Sequence, residues 1–106
     1  MRPTGITVAT LNLYLGADLA PLFAAGQSEA LASRTATVWS AVEASRPAER
    51  MTAAATQLVR YLPDVVALQE AGRWQAGTTE HPRIHDLLTF FLDALAAHVA
   101  ALRAYR

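Results

Sequence analysis

The hydrophobic period changes several times along the 106 residues, and each change marks an element. Residues 6–13, ITVATLNL, are rich in β-branched residues, are bounded by Gly5 and Gly16, and predict a strand. Period two puts Ile6, Val8, Thr10 and Asn12 on one face and Thr7, Ala9, Leu11 and Leu13 on the other. In YLGADLAPLFAAG, Asp18 is placed to cap a short helix, with Pro21 inside its first turn and Gly26 ending it. Leu31, Thr35, Val38, Trp39 and Val42 recur at helical spacing and predict a helix over 28–44, with Trp39 in the core. Pro47 suits the first position of a further helix, whose stripe of Met51, Ala54, Ala55, Leu58, Val59 and Leu62 stops at Pro63.

A second strand, Val65 to Gln69, follows at once. A polar loop, AGRWQAGTTEH, then leads to Pro82, which opens a last helix with Leu88, Phe91, Leu92, Leu95, Val99 and Leu102 on one stripe. His98 sits beside Leu95 and Leu102 as a half-buried packing residue, and Arg60, Arg83 and Arg103 read as solvated helix faces. Strand, a crossover of more than a dozen residues, and strand again is a βαβ pattern, which implies parallel strands and a right-handed crossover. The expected class is therefore α/β, a parallel strand pair with flanking helices. Ligands of parallel sheets sit beyond the carboxyl ends of the strands, where Asn12 and Glu70 should emerge side by side. Val66, Leu68 and Glu70 share the face of Ile6, Val8, Thr10 and Asn12 if the register permits.

Glu70 makes that edge chemically interesting. A carboxylate ending an apolar strand is ordinarily solvated, paired or bound to a cation, because burying it unpaired is costly. An Asn carbonyl and a Glu carboxylate are hard ligands of the kind that hold Mg²⁺ together with waters and a substrate phosphate. Spacing alone leaves a plainer alternative open, with Glu70 solvated and Asn12 a turn residue bonding its own backbone. Asp18 reads as a helix cap ahead of the other reading, a carboxylate that stands behind the metal's own ligands. Arg73 and Trp74 follow Glu70 at the same edge and are candidates for contact with a substrate base or phosphate.

Composition narrows the classes. The formal net charge is zero, so nothing points to a polyanion held by bulk electrostatics, a local basic rim staying open, and all nine basic residues are Arg. The absence of Cys removes disulfides, thiolate metal sites and a Cys nucleophile. Thr7, Thr10 and Asn12 interrupt any apolar signal core, and no run approaches the roughly 20 apolar residues of a membrane-spanning helix. A soluble chain, cytoplasmic by default, is expected, and secretion through an upstream signal is compatible with it.

The pair ITVATLNLYLGADL and PDVVALQEAGRW resembles the opening of the endonuclease/exonuclease/phosphatase superfamily, the pancreatic deoxyribonuclease-like fold. In that family the first strand ends in an Asn-bearing motif, matched by Thr10, Leu11 and Asn12. A later strand reads P-D-[VI]-[VIL]-x-L-Q-E, matched by Pro63 through Glu70. NLYLGADLAPLF and IHDLLTFFLDALAAH are similar to a bacterial branch, so the resemblance covers most of the chain.

It implies a two-sheet α/β sandwich of which residues 1–106 form the amino-terminal portion. Glu70 would be the Mg²⁺ (or Mn²⁺) ligand, and Asn12 the amide beside the metal and the scissile phosphate. The substrate would be a phosphoester, in nucleic acid, phosphoinositide or phospholipid. The family's later G-D-x-N and S-D-H segments do not occur, and His81, His85 and His98 stand in no such motif. The expectation is thus a truncated chain with half a metal site, inactive alone and prone to self-association through a strand edge or the Leu88 to Leu102 stripe. A non-catalytic helical interaction module is the alternative from another class.

Overall fold

The computed structural model describes residues 5–23 and 28–104. Its elements are β1 (Val8–Asn12), α1 (Ala20–Phe23), α2 (Ser28–Ala44), α3 (Pro47–Val59), β2 (Val65–Gln69), β3 (Arg73–Gly77), β4 (Pro82–Asp86) and α4 (Leu87–Ala104). The class is mixed α/β, with β1 and β2 forming a parallel pair and β3 and β4 a separate antiparallel one.

Helices α3 and α4 pack together over one face of the parallel pair. Met51, Ala55 and Leu58 of α3 meet Leu87 and Phe91 of α4, with Leu13 below them and Ala9, Leu11, Val66 and Leu68 closing the cluster from the sheet. A smaller cluster joins Val38 and Val42 of α2 to Ala17, Leu19, Leu22 and Trp74. Among the described residues nothing comparable covers the far face of the parallel pair, where Val8 is 57% exposed and Val65 50%.

Register corrects the expected strand phase. Ala9 pairs with Val66 and Leu11 with Leu68, so Val66 and Leu68 share the helix-covered face with Ala9 and Leu11, not the face of Val8, Thr10 and Asn12. Asn12 pairs with Gln69, leaving Glu70 one residue beyond the ladder. Strand period alone would send its side chain to the helix side. A left-handed backbone at Glu70, φ 57°, breaks that period.

The polar loop is a strand. Arg73 to Gly77 pairs with Pro82 to Asp86, and Trp74 and Ala76 alternate inward against exposed Arg73 and Gln75. Pro82 therefore opens β4, not a helix, at a strand's first residue, where the missing N–H is tolerated. The helix begins five residues later, with Asp86 Oδ1 accepting from Thr89 N at 3.0 Å as its cap. Its buried face is also rotated from the expected stripe. Leu87 and Phe91 are buried, while Leu88, Leu92 and Val99 are 39, 50 and 44% exposed.

Other expectations need smaller corrections. β1 covers Val8 to Asn12 and not all of 6–13. α3 ends at Val59, and Leu62 lies exposed outside it with a positive φ of 45°. Leu31 and Thr35 are exposed on α2, and Trp39 is half-buried where full burial was expected. Arg83 is on β4 and pairs with Glu43 of α2 at 3.5 Å while lying over the Trp39 ring, so it is no solvated helix face. Asp18 does cap α1, its Oδ1 accepting from Ala20 N at 2.9 Å. His98 is half-buried and meets Thr56 of α3 at 3.0 Å. Gly26, and the side chains of Leu102 and Arg103, lie outside the described residues. No described helix is long and apolar enough to cross a membrane.

Candidate functional site

Parallel pairing brings the carboxyl ends of β1 and β2 to one edge, and Asn12 and Glu70 meet there. The Asn12 Nδ2 group donates to Glu70 Oε2, and the N–H of Leu15 donates to Oε1 at 3.3 Å. Asn12 Oδ1 accepts from the N–H of Tyr14 at 2.8 Å. Asn12 is therefore both a turn residue folding back on its own backbone and the donor that fixes the carboxylate. Tyr14 lies in the left-handed region, φ 54°, as does Glu70, so each strand is followed within two residues by a non-glycine residue in a sparsely populated conformation.

The short loop that follows β1, residues 13–15, is held by side chains of α3 and β3. Arg50 of α3 donates through Nη1 to Leu13 O at 2.8 Å and to Tyr14 O at 3.0 Å. Its Nε reaches Ser45 O at 2.8 Å, and the guanidinium lies over the Tyr14 ring. Trp74 of β3 donates its indole N–H to Leu15 O at 2.7 Å. A Cβ at Gly72 would meet the end of the Leu15 side chain, which would have to turn aside to admit it. Thus α3, β2 and β3 all converge on residues 13–15, and those residues supply one of the two bonds to Glu70.

Of the residues expected at this edge, Asn12 and Glu70 are in direct contact. Trp74 is bound to the same loop through its indole, and Arg73 is engaged within its hairpin, with Gln75 Oε1 at 2.9 Å and Asp86 Oδ2 at 3.9 Å. Asp18 is committed to its helix cap. His85 lies beside Trp39 and Glu43 on the hairpin, its Nε2 3.5 Å from Glu43 Oε2. Sequence reasoning missed Arg50: one arginine preceding an apolar stripe looks like any solvated helix residue, and only the fold shows where its donors go.

The donor set for a cation is small. Among the described residues no three His, Asp or Glu side chains gather. Glu70 is exposed, and a carboxylate offers about four acceptor positions, of which two are taken by Asn12 and Leu15. Each oxygen keeps a free lone pair. That fits one hard, mostly hydrated cation held through a single carboxylate, the habit of Mg²⁺ in phosphate-handling sites. Asn12 in this orientation steers the carboxylate through its Nδ2 group, while its oxygen turns back to accept from the Tyr14 N–H. Comparison with models of protein families, with curated proteins and with solved structures finds no match.

Proposed function

We propose that the Asn12–Glu70 edge is the metal-side part of a Mg²⁺- or Mn²⁺-dependent phosphoester hydrolase, in a domain of the endonuclease/exonuclease/phosphatase type whose two-sheet sandwich includes this chain. One observation carries the reading: an exposed carboxylate, oriented by an amide and a backbone N–H, at the carboxyl edge of two parallel strands. A cation held there would neutralise charge on phosphoryl oxygens and activate water. Glu70 would bind it, Asn12 would hold the carboxylate, and Arg50 and Trp74 would fix the loop that completes the cradle. The G-D-x-N and S-D-H segments are absent from residues 1–106, so this chain alone is expected to hydrolyse neither plasmid DNA nor a simple phosphodiester above a metal-only blank.

The test is Mn²⁺ binding followed by electron paramagnetic resonance. The wild-type chain should titrate with one weak site, which Glu70→Gln abolishes and Asn12→Ala weakens. Identical binding by all three proteins would remove the proposal. The interaction-module reading rests on a different observation, the exposed Leu88, Leu92 and Val99 along α4. A partner helix on that stripe would leave Mn²⁺ binding untouched.

A further inference from the structure

Among the described residues, the backbone bonds of the parallel pair leave the outer edges of both β1 and β2 open. Val65 N donates to Thr7 O and Leu13 N to Gln69 O, so Thr7, Ala9, Leu11 and Leu13 turn their amides and carbonyls toward β2. Those of Val8, Thr10 and Asn12 point the other way, and no other described strand pairs with β1. Beneath this free edge runs a groove against α3. One stretch of about 250 Å³ reaches from Tyr61 to Leu11, and a second of about 320 Å³ continues past Gln57 to Arg50. The two share Leu11, Ala54 and Gln57 and so form one strand-length channel.

We propose that this edge pairs antiparallel with β1 of a second copy, about a twofold axis at Thr10, giving a four-stranded sheet in the order β2, β1, β1, β2. Three features favour this occupant. The first is surface area: the chain exposes 7881 Å², whereas a compact monomer of its 11.4 kDa should expose about 5,800 Å². The excess is larger than the roughly 800 Å² that each partner commonly gives to a stable interface.

The second is charge. Residues 3–17 carry none, so two β1 strands meet without repulsion, and β1 lacks the charges and prolines that normally protect an edge. The free edge of β2 is different: antiparallel pairing centred on Ala67 would set Asp64 against Glu70 of the second copy. The third is register. Centring on Thr10 makes it a hydrogen-bonded pair with its own mate and sets Val8 opposite Asn12, a self-complementary arrangement. Beyond Arg50 at one end of the groove, its α3 wall of Ala53, Ala54 and Gln57 is uncharged and lets the two α3 helices approach over the joined sheet.

The pairing stands independently of the hydrolase reading. Its test uses the full chain in light scattering, with Thr10→Pro and Thr10→Cys variants. The wild type should be a dimer. Thr10→Pro removes an N–H that faces only the open edge, so it should give a monomer with the wild-type far-UV spectrum. The chain has no cysteine, so Thr10→Cys reports one contact alone. It should oxidise to a covalent dimer about tenfold faster than Thr52→Cys on exposed α3, because strand pairing holds the two residues within disulfide range. A monomeric wild type, a dimer that survives Thr10→Pro, or equal oxidation rates for the two cysteine variants would overturn the proposal.

Discussion

Glu70 and Tyr14 each occupy the left-handed region, at a cost of about 1–2 kcal/mol per residue for a side chain with a Cβ. Replacing Glu70 by Gly relieves that cost but removes the two bonds to Asn12 and Leu15, so a stability change within about 1 kcal/mol is expected, together with loss of the Mn²⁺ site proposed above. Urea denaturation beside the Mn²⁺ titration checks both halves. Arg50 is a different case: its guanidinium bonds the backbone carbonyls of Leu13, Tyr14 and Ser45 and, through Nη2, the Ser45 hydroxyl. Arg50→Ala should cost about 2–3 kcal/mol in urea denaturation, and Arg50→Lys should recover little of it, because an ammonium cannot span three acceptors fixed to a planar fork. The Asn12 and Glu70 pair was legible in the sequence because polar residues ending apolar strands stand out. The conformation that joins them was not, since nothing in Leu-Gln-Glu-Ala announces a positive φ.

At the scale of elements, β2 and the helices α2 and α3 followed from periodicity because each repeats its pattern over enough residues to be distinct. The hairpin did not. Arg73 to Gly77 alternates correctly, but only Trp74 is a strong strand former, and Pro82 was a more conspicuous helix signal than Asp86, the residue that caps α4. The two tryptophans show what the hairpin contributes. Trp74 donates to Leu15 O, whereas Trp39 Nε1 is buried without a partner among the described residues. Trp74→Phe should therefore lose about 1–2 kcal/mol, and Trp39→Phe should be close to neutral, because it removes a polar group that burial already penalises. Thermal melts of the two variants, side by side with the wild type, make the comparison. Equal losses would mean that the indole bond to Leu15 contributes nothing specific.

For the whole molecule, the relevant quantity is unburied surface. The radius of gyration is 17.7 Å, against about 13 Å for a compact chain of this length, and the extents are 63 × 30 × 20 Å. Two small clusters, one open sheet face and an exposed α4 stripe leave much apolar area in water. At about 25 cal/mol per Å², a few hundred Å² left unburied forfeits several kcal/mol, comparable with the stability of a small domain. Association should then stabilise the fold, and the melting temperature should rise with protein concentration while dye binding to exposed apolar surface falls. A melting temperature independent of concentration, with no dye binding, would show that the isolated chain closes its own core.

Glu70 as a cation ligand steered by Asn12 is the proposal on which the functional reading rests. The most direct measurement is a Mg²⁺ titration of isotope-labelled protein, following the Asn12 side-chain amide and the Leu15 backbone N–H by nuclear magnetic resonance. Saturable shifts confined to Asn12, Tyr14, Leu15 and Glu70 are expected, and they should disappear in Glu70→Gln. Shifts scattered over Asp64, Glu80 and Asp93, or the same response from Glu70→Gln, would contradict it.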